Sequence, residues 1–325
     1  MKGFMERVGL EEIEEISRRI ATAVQKAVTP HLGTSRAKCI SGSGASGDVT
    51  FGIDVVAEQA VESAIEDIPD IAYYTEDKGL LERGNPSFLL VIDPIDGTRP
   101  AAAGLEACCV TVAAASFEER RVYEMGLGEV TFGFVKEIKT GREYLARKGE
   151  KVRIVGNDDS RVALSETKDI SRIFWTTGFR GRPAFALCVV LEELIDASSV
   201  DGACFDVGSA AFGIVRVVTG EMDAYVDVGQ RIYEDIPALR ERFLELGHGS
   251  ILNNYSYDVA AAALIASECG AIVTDARGED LSGYPLVPSL RGGQISIVVS
   301  SNRELHELIL ESIDRGIDKL KKRYS

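Results

Sequence analysis

Residues Phe88-Leu89-Leu90-Val91-Ile92-Asp93-Pro94-Ile95-Asp96-Gly97-Thr98 run from five apolar side chains into two carboxylates, a proline, a glycine and a threonine. An apolar run ending this abruptly reads as a strand buried on both faces, with Asp93 at its carboxyl end. Pro94 keeps Asp93 out of helical geometry, so Asp93 and Asp96 can converge, and Gly97 lets backbone approach a ligand. Two carboxylates and the Ile95 carbonyl suit a hard cation, and magnesium usually shares such ligands with substrate phosphate. If a helix starts at Thr98, the amides of Gly97 and Thr98 offer the complementary phosphate cradle. Asp-Gly is also a common tight-turn pair. A hairpin, however, should continue into an alternating strand, and Arg99-Pro100-Ala101-Ala102-Ala103-Gly104 does not alternate.

Further residues fall in order around this turn, and together they resemble the inositol monophosphatase superfamily, magnesium phosphatases that include fructose-1,6-bisphosphatases. Asp93 to Thr98 carries the family's Asp-Pro-Ile-Asp-Gly-Thr pattern in full. Upstream, Ile71-Ala72-Tyr73-Tyr74-Thr75 leads into the acidic pair Glu76-Asp77, and Asp54 stands where the family has an aspartate opening a helix. Downstream lie Gly208-Ser209-Ala210-Ala211, then Gly220-Glu221-Met222-Asp223, then Tyr257-Asp258 before a small-residue helix. The chain departs from the monophosphatase pattern at Ser46-Gly47, where a lysine is common, at Asp77 in place of glutamate, and at Tyr257 in place of tryptophan. Asp206 lies in a region where many relatives carry arginine. These departures touch the substrate more than the metal chemistry.

The resemblance implies that Glu76, Asp93 and the Ile95 carbonyl hold one Mg2+, while Asp93, Asp96 and Asp258 hold a second, with Asp93 bridging. Such a pair clamps the attacking and leaving oxygens of an in-line displacement. Thr98 and Asp54 would orient the hydrolytic water, and Asp77 would help through a third, weaker cation. The Gly97 and Thr98 amides would hold the phosphate, and Asp206, Ser209 and Asn254 would face the substrate. The expected activity is hydrolysis of a small polyol or sugar phosphate. Inositol 1-phosphate comes first and fructose 1,6-bisphosphate close behind, with 3′-phosphonucleotides and NADP as weaker candidates. A catalytically silent relative is the alternative of a different class. Homodimers or homotetramers are expected by the same resemblance.

At 325 residues with 45% hydrophobic content the chain is large enough for two packed units. A net charge of −15 argues against nucleic acid and anionic membrane surfaces, which need clustered Lys and Arg. The six cysteines show no Cys-x-x-Cys, and Cys108-Cys109 lie within an apolar run, which reads as buried free thiols and a reducing cytoplasm. No signal-peptide core or membrane span is evident. His31, His248 and His306 match no metal or triad pattern and read as surface or cap positions.

Leu10, Ile13, Ile16, Ile20, Val24 and Val28 recur at helical spacing and predict a helix over 10–29 that stops before Pro30. Gly42-Ser43-Gly44-Ala45-Ser46-Gly47 fits a dinucleotide-loop pattern on paper, but no apolar strand precedes it, so it reads as a loop near a metal site or a plain linker. A second helix with Asp54 at its N-cap is followed by strands at 71–75, 88–92, 107–115, 129–138 and 142–147. Residues 1–160 therefore read as an α+β domain on a largely antiparallel sheet that carries the metal motifs. Residues 161–325 alternate helix and strand as an α/β domain that completes the metal site and shapes specificity. The expected architecture is a layered αβαβα sandwich. Asp258 reads as the N-cap of the helix that follows it. Between Val228 and Tyr257, in a connection that tends to be shorter in the family the chain resembles, Asp235-Ile236-Pro237 opens a capped helix ending at Gly247. It is expected to cover the substrate mouth, to form a subunit contact, or to be ornamental, and its deletion over 236–247 to leave metal binding intact.

Overall fold

The computed structural model describes residues 2–44, 47, 49–116, 122–156, 161–288 and 292–324. The chain opens with helix α1 (Lys2–Val28), then a hairpin of β1 (Ile40–Ser43) and β2 (Val49–Phe51), then α2 (Gly52–Ile65). A seven-stranded sheet follows, made of β3 (Ile71–Thr75), β4 (Gly79–Arg83), β5 (Phe88–Asp96), β6 (Cys109–Ser116), β7 (Val130–Glu137), β8 (Glu143–Arg147) and β9 (Arg153–Val155), with the short α3 (Thr98–Ala103) after β5. Its order is β4-β3-β5-β6-β7-β8-β9. Only β3 and β5 run parallel.

The second half places β10 (Phe174–Thr176), α4 (Ala184–Ala197), β11 (Ala203–Phe205), α5 (Ala210–Val218), β12 (Ala224–Val226), α6 (Gly229–Asp235), α7 (Arg240–Leu246), α8 (Ser256–Glu268), β13 (Ile272–Thr274), β14 (Val298–Ser300) and α9 (Arg303–Tyr324) along the chain. Its five strands form one sheet in the order β11-β10-β12-β14-β13, parallel at β10-β11 and β10-β12 and antiparallel elsewhere.

Strand periodicity explains the layering. Ile71, Tyr73, Leu90 and Ile92 point to the core shared with α1 and α2, whereas Ala72, Tyr74, Leu89 and Val91 point to the opposite core. That second core contains Ala210–Val218 side chains of α5, Val259–Ala262 of α8, and Tyr225 and Val299 of the smaller sheet. Ala224, Val226 and Val298 face the other way, against α4 and α9. The layers are thus α1/α2, large sheet, α5/α8, small sheet, α4/α9, the αβαβα sandwich expected. Every residue of α5 is buried, as a helix between two sheets requires. Gly133 lets α8 lie close, since a Cβ there would collide with the backbone of Ala261.

Several local expectations need correction. Helix α1 begins well before residue 10, and β6 starts at Cys109, two residues after the predicted strand start. The short strands β4, β9 and β11 were not foreseen; each has exposed residues and little apolar alternation. His306 is neither a surface nor a cap residue. It is 3% exposed, with Nε2 2.9 Å from Thr274 Oγ1 and Nδ1 3.1 Å from Ser300 Oγ. The segment 229–256 is core, not ornament, because Ile232, Ile236, Leu239 and Phe243 are buried against α4, α9 and the small sheet. Deleting 236–247 would open that core. Asp235 does not cap the following helix; it closes α6 and pairs with Arg277 at 2.6 Å and Lys321 at 3.3 Å. Of the Gly-rich stretch 42–47, Gly42 and Ser43 end β1, while residues 45 and 46 lie outside the described residues. Among the described residues no helix is long and apolar enough to cross a membrane.

Candidate active site

Strand β5 delivers the first two carboxylates. It is buried along its whole length, and between Asp93 and Asp96 its pairing with β6 slips, so both side chains can turn to one side of the strand end. Asp93 Oδ1 accepts the amide of Ile95 at 2.9 Å, which fixes the turn locally. Gly97 then adopts φ 94°, and a side chain there would also meet Ala107 O, so glycine is required on both counts. Thr98 begins α3 and its hydroxyl donates to the Ile95 carbonyl at 3.1 Å.

Asp96 is held from the second half of the chain. Its Oδ2 accepts Ser209 Oγ at 2.7 Å and the Ala211 amide at 2.6 Å, and its Oδ1 the Ala210 amide at 3.3 Å. Ser209 also caps α5 by accepting the Phe212 amide at 3.2 Å. The positive end of α5 is therefore aimed at Asp96. Asp258 arrives on α8, whose start is clamped to the large sheet. Thr111 of β6 donates to the Tyr257 carbonyl at 2.8 Å, and the Tyr257 ring meets those of Tyr74 and Tyr255, at 5.8 and 5.5 Å. Asp258 is the third residue of the helix and not its N-cap; its Oδ2 accepts the Tyr255 amide at 2.6 Å. Asp54 occupies the same place in α2, accepting the Phe51 amide at 2.8 Å.

Asp93, Asp96 and Asp258 each bring a carboxylate oxygen into a group spanning at most 4.8 Å. They join Glu76 at a cavity of about 330 Å³. Burial first, then the charges of Glu76, Asp96 and Asp258, push the Asp93 carboxyl well above the ordinary carboxylate range. Burial also raises Asp96, against the opposing pull of Ser209, the α5 amides and Arg180. Converging acids that resist ionising together are stabilised by a bound cation, and an all-oxygen donor set suits magnesium. The residues fit that ion.

Gly97, Asp206, Ser209 and Asn254 also line the cavity, whereas Asp54, Asp77, Ile95 and Thr98 lie outside its lining. Asp77 accepts Thr50 Oγ1 at 2.6 Å, tying the β1-β2 hairpin to the acidic turn. Ser209 spends its hydroxyl on Asp96, so it acts on a carboxylate rather than facing outward. Asn254 donates to the buried Tyr225 hydroxyl at 3.2 Å. Asp206 spends both oxygens on backbone, accepting Phe179 N at 3.3 Å and Gly208 N at 3.0 Å.

Sequence reasoning missed one wall. Thr177, Gly178, Arg180 and Arg182, just past the end of β10, line the cavity with Arg99 and Tyr225. The signal was available, since an arginine-bearing glycine loop at the carboxyl end of an α/β strand is where ligands bind. Glu58 was missed as well. It is 4% exposed on α2 beside Thr75 and Asp77, and burial pushes its carboxyl up to about 7.

The model of the inositol monophosphatase family matches residues 9–318. The fructose-1,6-bisphosphatase/inositol-1-monophosphatase of Methanothermobacter thermautotrophicus is 29% identical, over 92% of this chain and 95% of its own. A bifunctional NADP phosphatase/NAD kinase of Methanocaldococcus jannaschii is 24% identical over 91% of this chain, which spans 49% of that longer protein. Among solved structures, the Thermotoga maritima IMPase superposes with a TM-score of 0.69 at 20% identity, covering 95% of this chain and 99% of its own. The inositol monophosphatase of Zymomonas mobilis gives 0.65 at 15% identity, covering 94% and 98%. With its acidic motifs gathered on a shared αβαβα scaffold, the chain belongs to the inositol monophosphatase family and is a phosphoric monoester hydrolase.

Proposed function

We propose that this protein releases phosphate from a small polyol or sugar phosphate at the Asp93–Asp96–Asp258 cluster, with two magnesium ions and a weaker third. One observation carries the reading: three carboxylates from β5 and α8 lie within 4.8 Å of one another in the lining of the cavity. Magnesium, when bound there, supplies Lewis-acid polarisation of a phosphoryl oxygen and offsets the carboxylate charge. Glu76, Asp93, the Ile95 carbonyl, Asp96 and Asp258 would hold it. The amides of Gly97 and Thr98 would orient the phosphate, and Asp54 and Thr98 would orient the attacking water and guide its proton, with Asp77 behind them. Ser209 and the start of α5 keep Asp96 aimed.

The cavity, about 330 Å³, is at the small end of ligand sites, which favours a compact ester over a dinucleotide. The bifunctional bisphosphatase/monophosphatase among the relatives supports the same class. Residues 1–160 would supply most of the metal site, and residues 161–325 would complete it through α8 and set specificity. The six free cysteines suit a cytoplasmic enzyme, and a homodimer or homotetramer is the assembly we infer for it. Phosphate release with magnesium across inositol 1-phosphate, fructose 1,6-bisphosphate, a 3′-phosphonucleotide and NADP tests the reading. Turnover of the first two supports it. Release from none of the four would favour a silent relative.

A further inference from the structure

The acidic cluster claims the phosphate end of an ester, so the alcohol end must lie in the rest of the cavity, about 330 Å³ in all. Two leucines bound that space. Leu105 is 59% exposed and can swing outward into solvent, whereas Leu252 is 9% exposed and cannot. Leu252 sits on the connection between α7 and α8, and that connection is pinned on either side of it. Before it, Ile251 packs on the core of α4 and α9. After it, Asn253 Oδ1 accepts Arg182 Nε at 3.0 Å, Asn253 Nδ2 donates to Gln230 Oε1 at 3.0 Å, and the Asn254 carbonyl accepts the Ile295 amide at 2.7 Å. Gly181 stands against the side chain with φ 67°. A Cβ there would lie 2.6 Å from Leu252 Cβ and 3.0 Å from its Cδ1, so Leu252 fills the space that a residue larger than glycine would take. Arg182, next to Gly181, is fixed in turn by Asp227 at 2.6 Å and by the Gly178 carbonyl at 2.9 Å. A side chain backed this closely has no room to retreat when a ligand presses on it.

We propose that Leu252 is a specificity-determining residue, a fixed apolar wall that limits the esters accepted to those with a compact alcohol group and discriminates against fused aromatic ones. The inference rests on the phosphatase reading and adds the residue that sets its size limit. The segment between α6 and α8 thus supplies a wall of the cavity as well as core. Its position on an anchored connection, rather than on an exposed loop tip, is what gives the wall its stiffness.

Steady-state phosphate release is measured with magnesium on 1-naphthyl phosphate and on a compact ester, inositol 1-phosphate or fructose 1,6-bisphosphate, whichever wild type turns over faster. Wild type is compared with Leu252→Met, Leu252→Val and Leu252→Ala. The quantity read is the ratio of kcat/KM on the naphthyl ester to kcat/KM on the compact one. Each ester is compared with itself across the variants, so the intrinsic reactivity of its leaving group cancels. The ratio should rise roughly 10- to 100-fold in Leu252→Ala, mainly through KM of the naphthyl ester, because a few methylenes of an apolar pocket discriminate on that scale. Leu252→Val should give a smaller rise, and Leu252→Met, which keeps the volume, should stay within about threefold. A merely structural role would lower both esters together and leave the ratio where it was. That result, or a wild type that cleaves the naphthyl ester as efficiently as the compact one, would overturn the size limit and leave the phosphatase reading standing. If wild type cleaves none of the three esters, the phosphatase reading falls. Equilibrium binding of 1-naphthyl phosphate with magnesium then decides the size limit: binding about tenfold tighter by Leu252→Ala than by wild type supports it, and equal affinity overturns it.

Discussion

Ser209 Oγ donates to Asp96 Oδ2 at 2.7 Å although the residues stand 113 positions apart, one capping α5 and the other ending β5. This bond, with the Ala211 amide at 2.6 Å, ties the second half of the chain directly to the carboxylates of the first. Ser209→Ala removes both the bond and a helix cap, at a cost of about 1 kcal/mol in stability for the cap. We expect a folded protein with weaker magnesium activation, and titrating magnesium against phosphate release should show the midpoint shifted upward. An unchanged midpoint would mean that the α5 amides hold Asp96 without the Ser209 hydroxyl.

Asp96→Asn keeps an oxygen that can accept the α5 amides, so the fold should persist by circular dichroism. Turnover should fall by orders of magnitude, because a charge is lost from the cluster where cations must bind. Near-normal activity would refute the metal assignment.

Magnesium should raise the melting temperature, because a ligand held only by the folded state stabilises it, by about 2.7 kcal/mol at a hundredfold excess over Kd. Chelation should reverse the effect. Asp258→Asn should diminish it, since that carboxylate comes from α8 and closes the cluster. Differential scanning fluorimetry with and without chelator reads this directly.

His306 gives a pH dependence whose sign is fixed. Burial holds its imidazole down to about 4, against an ordinary value of 6.5. The unfolded chain therefore takes up the proton first, and stability present above pH 6.5 declines as pH falls towards 4, by up to roughly 3 kcal/mol. Urea unfolding across that window should show a flatter slope for His306→Gln than for wild type. Identical slopes would show that His306 does not carry the effect.

Arg182 and Asp227 form an ion pair with side chains 5% and 0% exposed. Removing one partner strands a buried charge, so Arg182→Met should destabilise by about 3–5 kcal/mol. Arg182→Met combined with Asp227→Leu should recover part of that. A double mutant as unstable as the sum of its parts would argue that Asn253 and Gly178 contribute more than the charges.

The sequence by itself determined the family and the layered plan. The Phe88–Thr98 run announced a strand buried on both faces and ending in acid, and the ordered positions of Glu76, Ser209 and Asp258 pointed to one site. Helical and strand periods located most elements, because burial on one face or two leaves a repeat of fixed length. What they could not carry was orientation. Asp54 and Asp258 read as helix caps, yet both are third residues that fold back onto an upstream amide, a distinction of one turn of backbone. Ser209 and Asp206 read as substrate contacts, yet one serves Asp96 and the other serves backbone amides, because hydrogen-bond partners depend on which loops the two sheets bring together. Arg180 and Arg182 stand two positions apart with the same charge, and only tertiary packing buries one against Asp227 and leaves the other at the mouth. Residue types fixed what chemistry was available, while the packing of α5 and α8 between the two sheets decided which side chains meet at the cavity.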